Sequence, residues 1–134
     1  MRKCMVAAAI AACMMMVSAV DAGQPRWLEG KITYVRDIDT FEVNGIPIRL
    51  DGVDGPEYKE RDGRAAKRWL QNTYGGAKVR CWLDGTTTYD RHVGICYDRM
   101  EQDIGAVIIA NGWARDCPRY SDGRYQVYEP GYPI

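Results

Sequence analysis

Residues 40–57 read TFEVNGIPIRLDGVDGPE, and this stretch says most about the fold. Thr40–Val43 and Ile46–Leu50 are strand-like runs on either side of Asn44-Gly45, the strongest short signal for a two-residue hairpin. The chain then turns sharply at Gly55-Pro56. The stretch therefore predicts a β-hairpin followed by a turn that places charged residues at the end of a strand.

Further strand-like runs lie on both sides of this hairpin. A strand is predicted over Trp27–Arg36, and two more over Ala77–Leu83 and Val93–Tyr97. In the first of these strands, alternating positions are expected to point inward: Leu28, Ile32 and Tyr34.

Two helices are predicted between and after these strands. The first begins near Asp62 and ends at Gly75-Gly76. Its buried stripe is expected to consist of four residues: Ala65, Ala66, Trp69 and Leu70. The second helix is Ile104–Asn111, which Asp103 caps and Gly112 ends.

Five strands, with one helix between the third and fourth and another after the fifth, are the arrangement of an OB-fold barrel. The predicted fold class is therefore α+β, a five-stranded OB-fold barrel with two or three packed helices. Trp69 and Trp113 are expected in its core. From about residue 115 the chain is rich in Tyr, Pro, Gly and Arg without a steady period, so an irregular C-terminal tail is expected.

Residues 1–22 have the composition of a secretory signal peptide. A charged start precedes the apolar run Met5–Val17, and small-residue cleavage sites end at Ala19 and Ala22. The run is too short to double as a membrane span. A lipoprotein site at Cys13 is disfavoured because the apolar stretch before it is very short. We expect a secreted or periplasmic protein whose mature domain is residues 23–134, without a membrane span and monomeric.

The charge balance limits the classes of partner. The chain has 18 Lys and Arg against 18 Asp and Glu. This balance argues against a non-specific nucleic-acid coat, which needs a strongly basic face. A compact basic site within a neutral body is compatible with it, so the partner has to be inferred from the site.

Three cysteines lie beyond the signal peptide: Cys81, Cys96 and Cys117. They allow one disulfide and one free thiol, and exported domains of this size often carry a disulfide. Cys81 and Cys96 lie in strand-like runs joined by the Asp84-Gly85 turn region, so they can face each other across a hairpin. Cys117, beside Pro118, is the competing partner. The spacings do not suggest a zinc site.

Charged residues near the predicted turns supply the groups needed to cleave a phosphodiester. Carboxylates such as Asp39, Asp54 and Glu57 can converge on a hard cation, and Ca²⁺ accepts oxygen ligands in irregular geometry. Arg49 and Arg91 can clamp a phosphate from two sides. Singly, each residue is more often a turn former or a solvated side chain. Their combination favours metal-assisted phosphodiester cleavage.

The same residues belong to a series of motifs in a recognisable order. These are Asp-x-Asp-Thr at 37–40, Arg-Leu-x-x-Val-Asp-x-Pro-Glu at 49–57, Tyr-x-Arg at 89–91 and Gly-x-Ala at 112–114. Together with the predicted elements, this order resembles the staphylococcal (thermo)nuclease family over nearly the whole mature chain up to Ala114. Residues 49–57 are the most specific part.

The resemblance implies a role for each matching residue. Three fall on catalytic positions, where the arginines bind phosphate and the acid acts on the attacking water: Arg49, Glu57 and Arg91. Three fall on Ca²⁺-binding positions, the last through its backbone carbonyl: Asp39, Asp54 and Gly55. Asp37 matches an acid just behind the metal ligands, and Tyr89 a tyrosine that touches the substrate phosphate.

The expected function is that of an exported, Ca²⁺-dependent nuclease acting on DNA and RNA with little sequence preference. By resemblance, cleavage occurs on the 5′-oxygen side and leaves 3′-phosphate ends. One alternative is an inactive nucleic-acid-binding module of the same fold, against which the presence of Arg49, Glu57 and Arg91 argues. Another is a secreted domain that binds a protein partner through its Tyr-rich tail.

Three positions depart from the family pattern. Gly is usual at Ile38, so the turn there must be made differently. Thr is common at Gly55, and Gly at Asp90, whose charge can weaken the hold of Arg91 on phosphate. The long C-terminal helix of the best-known member has no clear counterpart. Four tail residues can either stack bases or pack the tail: Tyr120, Arg124, Tyr125 and Tyr128.

Overall fold

The computed structural model describes residues 23–57 and 59–133, so the predicted signal peptide lies outside the described residues. In this part of the chain, four strands precede the first helix, two strands separate it from the second, and a short 3₁₀ helix lies at Gln126–Tyr128. The elements are β1 (Arg26–Asp37), β2 (Thr40–Val43), β3 (Ile46–Leu50), β4 (Val53–Asp54), α1 (Arg61–Tyr74), β5 (Lys78–Thr88), β6 (Arg91–Tyr97), α2 (Ile104–Ala110), β7 (Arg115–Asp116) and α3 (Pro118–Ser121).

Five strands pair in the order β1-β2-β3-β6-β5, and β5 pairs again with β1, so this sheet closes on itself. Neighbouring strands are antiparallel except β3 and β6, which run parallel. At the β2–β3 turn, Asn44 and Gly45 have φ values of 49° and 79°. Positive φ at both central residues is what a type I′ hairpin turn requires. The α+β class with a five-stranded sheet is confirmed.

One apolar core fills the space between the sheet and the two longer helices. The sheet contributes fully buried residues such as Phe41 and Ile48. Helix α1 contributes Leu70, and α2 contributes Ile108. Helix α1 buries one face, whereas α2 and the short strands β2 and β3 are buried or partly buried along nearly their whole length.

The two helices agree with the prediction in position and differ in detail. Asp103 caps α2 as expected, since its side chain accepts hydrogen bonds from the backbone N–H groups of Gly105 and Ala106. The buried stripe of α1 is Gly63, Ala66, Leu70 and Tyr74. The prediction that Ala65 is buried is wrong, because the burial follows the i, i+4 spacing from Ala66 and turns Ala65 to solvent.

Tyr34 is also exposed, although the sequence pattern predicts that it points inward. The pairing of β1 with β2 has an irregularity between Ile32 and Tyr34. An extra residue in one strand shifts the alternation of inward and outward side chains. Ile32 and Val35 are therefore the buried residues here, and 55 % of Tyr34 is exposed.

The hairpin of β5 and β6 turns later than predicted. Asp84-Gly85 lies inside β5, where the pairing with β6 is irregular between Leu83 and Thr87. The reversal falls instead at Tyr89-Asp90, where Tyr89 has a φ of 55°. The tip of this hairpin therefore presents Tyr89 and Asp90 directly before Arg91.

The predicted disulfide is confirmed. Cys81 and Cys96 stand opposite each other in β5 and β6 and are joined by a disulfide, with both residues buried. Cys117 is a free thiol and half-buried. The bridge ties the two strands together well away from their turn.

Candidate active site

The parallel contact of β3 with β6 brings two of the predicted catalytic residues to one cleft. Arg49 on β3 stands opposite Val93 of β6, and Arg91 is the first residue of β6. Both arginines line a cleft of about 400 Å³, which also contains Asp54 and, from the tail, Tyr120. Residues distant in sequence thus form a single cleft, whose charged lining residues are two arginines and two aspartates, Asp51 and Asp54.

Arg49 is held at the end of its strand by main-chain groups. Its Nη1 donates hydrogen bonds to the carbonyl oxygens of Leu50 at 2.6 Å and Val53 at 2.7 Å. Its Nη2 lies 3.5 Å from a carboxylate oxygen of Asp39. That separation is longer than a normal hydrogen bond, so the guanidinium is anchored on one side and only loosely paired on the other.

Thr40 connects Asp39 to the second arginine. Its buried hydroxyl donates a hydrogen bond of 3.0 Å to the Asp39 carboxylate. The same oxygen accepts a hydrogen bond of 3.4 Å from Nη1 of Arg91. A polar chain therefore runs from Arg49 through Asp39 and Thr40 to Arg91, and it places one carboxylate between the two guanidiniums.

Burial and the neighbouring charges and hydrogen bonds act on the Asp39 carboxylate in different directions. Burial raises the pKa of this carboxyl, and the charge of Asp37 raises it further. Arg49 and hydrogen bonds from Thr40 and the backbone N–H of Gly55 oppose the rise without cancelling it. The raised pKa reflects the cost of burying the ionised form, which nearby positive charge reduces.

Gly55 contacts this carboxylate, Asp54 precedes Gly55 in the chain, and Glu57 follows it. Asp54 is exposed at the end of β4 and lines the cleft. Gly55 contacts Asp39 through the backbone hydrogen bond. Glu57 is exposed on the segment between β4 and α1 and is not among the described residues that line the cleft.

Arg91 and Tyr89 contact each other at the tip of the β5–β6 hairpin. The guanidinium carbon of Arg91 lies 5.4 Å from the centre of the Tyr89 ring. Its Nε donates to the carbonyl oxygen of Thr88 at 3.3 Å. Because 94 % of Tyr89 is exposed, its ring stands free above the arginine and is accessible to a ligand.

The donor set can be tested against the predicted Ca²⁺ site. Residues 23–57 and 59–133 contain no group of three or more His, Cys, Asp or Glu side chains arranged to hold a metal. The predicted site has only two side-chain ligands, the carboxylates of Asp39 and Asp54. Its third ligand is the backbone carbonyl of Gly55. All are oxygen donors, and a cation would favour the ionised form of the Asp39 carboxylate, which burial disfavours. This donor chemistry fits a hard cation.

The cleft also contains Cys117 and Tyr120, which the sequence did not predict to lie beside the arginines. Both come from the tail, where β7 pairs with β4 and α3 follows. The backbone N–H of Cys117 donates to the carbonyl of Gly52 at 2.9 Å, which fixes the tail against the turn after β3. The aromatic and basic composition of the tail was the only signal in the sequence.

Two of the other tail residues considered as base-stacking groups pack the tail instead. Arg124 pairs with the Asp51 carboxylate at 3.1 Å and donates to the Asp51 carbonyl at 2.9 Å. Tyr125 is buried, and its hydroxyl donates to Asp103 at 2.9 Å. These contacts attach the tail to the barrel and to the cap of α2, and they leave Tyr120 facing the cleft.

Comparison with protein-family models gives no match to this chain, and comparison with curated proteins gives none either. None of the helices in the described part of the chain has the length and apolar character to span a bilayer.

Proposed function

We propose that this protein is a Ca²⁺-dependent nuclease that hydrolyses phosphodiester bonds of DNA and RNA with little sequence preference. The observation that carries the proposal is the meeting of Arg49 and Arg91 in one cleft with Asp54, while Asp39 lies against Arg49. Two guanidiniums and two carboxylates suit a phosphodiester together with a hard cation. We also assign the closed five-stranded sheet to the OB-fold, because its strand order and helix positions resemble that of the staphylococcal nuclease family.

In this proposal the two arginines bind the phosphate that is cleaved. Both stay charged at any working pH, and their N–H forks suit phosphate oxygens. The phosphoryl oxygens gain negative charge as water attacks, so these contacts strengthen in the transition state and lower the barrier. Tyr89, exposed beside Arg91, would extend the contact to the substrate.

Asp39, Asp54 and the Gly55 carbonyl would hold the calcium ion, with Asp37 just behind Asp39. When bound, Ca²⁺ supplies Lewis-acid stabilisation of the phosphate charge. The hydroxyl of Thr40 and the N–H of Gly55 orient the Asp39 carboxylate through hydrogen bonds. The loose 3.5 Å pairing leaves Arg49 able to exchange Asp39 for a substrate phosphate.

Glu57 would orient the attacking water or accept its proton. Water then adds to phosphorus, the bond to the 5′-oxygen breaks, and the phosphate stays on the 3′ end. Glu57 follows the rigid Gly55-Pro56 turn and is exposed, so it has to approach the cleft when substrate binds. Such tightening is common, since catalytic contacts are often long without substrate.

Digestion of single-stranded DNA with and without Ca²⁺ tests the proposal. We expect cleavage to products with 3′-phosphate ends in Ca²⁺, none in excess chelator, and recovery when Ca²⁺ is restored. Mg²⁺ should support cleavage poorly, because a small octahedral ion fits two carboxylates and a carbonyl less well.

Full activity in excess chelator would contradict the metal site. Binding of DNA without cleavage would favour the binding-module alternative, and neither binding nor cleavage would favour the protein-interaction alternative.

We also propose that the protein is secreted or periplasmic. The Cys81–Cys96 disulfide supports this location, because such bridges persist in oxidising compartments. Mass spectrometry of the exported protein should find an N-terminus at Gly23 or Val20. A chain that retains the apolar run Met5–Val17 would contradict the proposed cleavage.

A further inference from the structure

Asp90 precedes Arg91 in the chain, yet its carboxylate contacts a different arginine. Nη1 of Arg36 donates to both Asp90 oxygens, at 3.1 Å and 2.9 Å. Arg36 lies near the end of β1, and Asp90 lies at the tip of the β5–β6 hairpin. Arg91 lines the cleft, whereas Asp90 is not among its described lining residues. The carboxylate is therefore held outside the cleft.

A second carboxylate holds Arg36 in place. Its Nε donates to Glu42 on β2 at 3.0 Å. Arg36 thus carries one carboxylate on each side, and two neighbouring strands determine where its guanidinium lies. Both pairs are partly solvated, and such pairs contribute little to folding stability. Their effect is on where the Asp90 carboxylate points.

The direct contacts described for Arg91 are with neutral groups. They are the carbonyl of Thr88, the hydroxyl of Thr40 and the ring of Tyr89. These groups orient the guanidinium without neutralising it. Its charge also acts on the nearby Asp90 carboxyl, whose pKa is lowered first by the hydrogen bond from Arg36 and to a smaller extent by Arg91. A carboxylate that moved onto Arg91 would compete directly with an anionic ligand.

We propose that Arg36 is a positioning residue that holds the Asp90 carboxylate away from Arg91 and so keeps Arg91 open to the substrate phosphate. The inference rests on the proposed function. It also explains how this chain can carry an acid where the family that it resembles usually has glycine. Without Arg36, Asp90 is the adjacent carboxylate and pairs with Arg91.

Three variants test the inference: Arg36→Met, Asp90→Asn and the two combined. The control is Arg80→Met, which removes another strand arginine with an exposed ion pair, to Glu101 at 2.6 Å. The measurements are kcat/KM on single-stranded DNA and the Kd for a phosphorothioate oligothymidylate, which resists cleavage.

Arg36→Met should raise the Kd and lower kcat/KM about tenfold, which corresponds to about 1.4 kcal/mol. Asp90→Asn and Arg80→Met should stay within about twofold of wild type, which corresponds to about 0.4 kcal/mol. The double variant should return close to wild type, because the competing charge is gone. A purely structural role of Arg36 predicts no such rescue.

Wild-type affinity in Arg36→Met, or a loss that persists in the double variant, would overturn the inference. If the wild-type protein binds the oligonucleotide without cleaving DNA, the nuclease proposal fails, while the pattern of Kd values still decides the role of Arg36. If the wild-type protein does not bind the oligonucleotide, both proposals are wrong.

Discussion

The Cγ2 methyl group of Ile38 occupies the space where a side chain on Gly55 would begin, and a Cβ built on Gly55 would overlap it. Ile38 is fully buried in the turn between β1 and β2. The family that the chain resembles usually has glycine at the first position and often threonine at the second. The two departures therefore compensate in volume, because the side chain of Ile38 fills the space that a side chain at position 55 would otherwise occupy.

This relationship predicts that the two positions are energetically coupled. Gly55→Ala should lower the free energy of unfolding by about 1–3 kcal/mol, because the added methyl overlaps Ile38. In an Ile38→Ala background the same change should cost less, with a coupling of at least about 1 kcal/mol. Urea unfolding of both single variants and the double variant measures it. In an Ile48→Ala background, the control, Gly55→Ala should keep its full cost; equal costs in all backgrounds would contradict the coupling.

The proposed phosphate contacts predict a strong dependence on arginine at two positions. Arg49→Lys or Arg91→Lys should lower kcat by about 10²-fold or more, by analogy with the loss of one oxyanion donor. An ammonium group cannot reproduce the two-pronged contact. Steady-state kinetics at saturating Ca²⁺ measures the effect, and Arg80→Lys, outside the cleft, is the control. Near-wild-type turnover in folded Arg91→Lys would show that this cleft is not the catalyst.

Glu57 should act on the water rather than on substrate binding. Glu57→Gln is expected to reduce kcat by at least about 10²-fold while the affinity for a phosphorothioate oligonucleotide stays unchanged, since an amide cannot accept the proton. Glu60→Gln is a matched control, because Glu60 is an exposed acid on the same segment. Equal activity of the Glu57 and Glu60 variants would remove Glu57 from the mechanism.

The disulfide should stabilise the barrel moderately. Cys81 and Cys96 are separated by 15 positions in sequence. For a loop of that size the chain-entropy estimate is about 3 kcal/mol. Reduction should lower the free energy of unfolding by about that amount in urea titrations, and Cys117→Ser should not change the response. Non-reduced peptide mapping of exported protein should find the bridge; three free thiols would contradict it.

Buried tyrosines should make stability fall at alkaline pH. Burial raises the pKa of Tyr125 and the charge of Asp103 raises it further, so the folded protein keeps a proton that the unfolded chain loses near pH 10. The contribution is complete below about pH 10 and declines above it, by up to about 1.4 kcal/mol per pH unit.

The test is the free energy of unfolding between pH 8 and 11, in a Cys117→Ser background that prevents thiol exchange. Tyr125→Phe should flatten the slope in part, because Tyr74 has a raised pKa for the same reason and keeps its own contribution. Tyr128→Phe, an exposed position, should leave the slope unchanged. An unaltered slope in Tyr125→Phe would contradict the assignment.

Local sequence signals accounted for most of the elements and failed where a strand is irregular. The Asn44-Gly45 turn and the Asp103 cap need only neighbouring residues, and both formed as predicted. Tyr34 and the Asp84-Gly85 region were misplaced because irregular pairing shifts the alternation of side chains. Such irregularities depend on the partner strand, which a single run of sequence does not specify.

The candidate site shows the same division between local and distant contacts. Motif order selected Arg49 and Arg91 as a phosphate clamp, and the structure brings them to one cleft. It left Glu57 outside the described lining of that cleft and added Tyr120 from the tail. No periodicity or motif in the sequence predicts where these two residues lie. The positions of loops and of the tail depend on anchoring contacts between distant residues, such as Arg124 with Asp51.

By itself, the sequence determined the hairpin, the two helices and the chemical groups available for catalysis, because these depend on spacing and residue type. The choice of Cys96 over Cys117 as the partner of Cys81 came from the structure. Only the tertiary structure decided which groups meet. The parallel β3–β6 contact brings Arg49 and Arg91 to one cleft. Elsewhere, Asp90 pairs with Arg36, and Ile38 packs into the space at Gly55. These contacts link distant parts of the chain, and their geometry exists only once the barrel has closed.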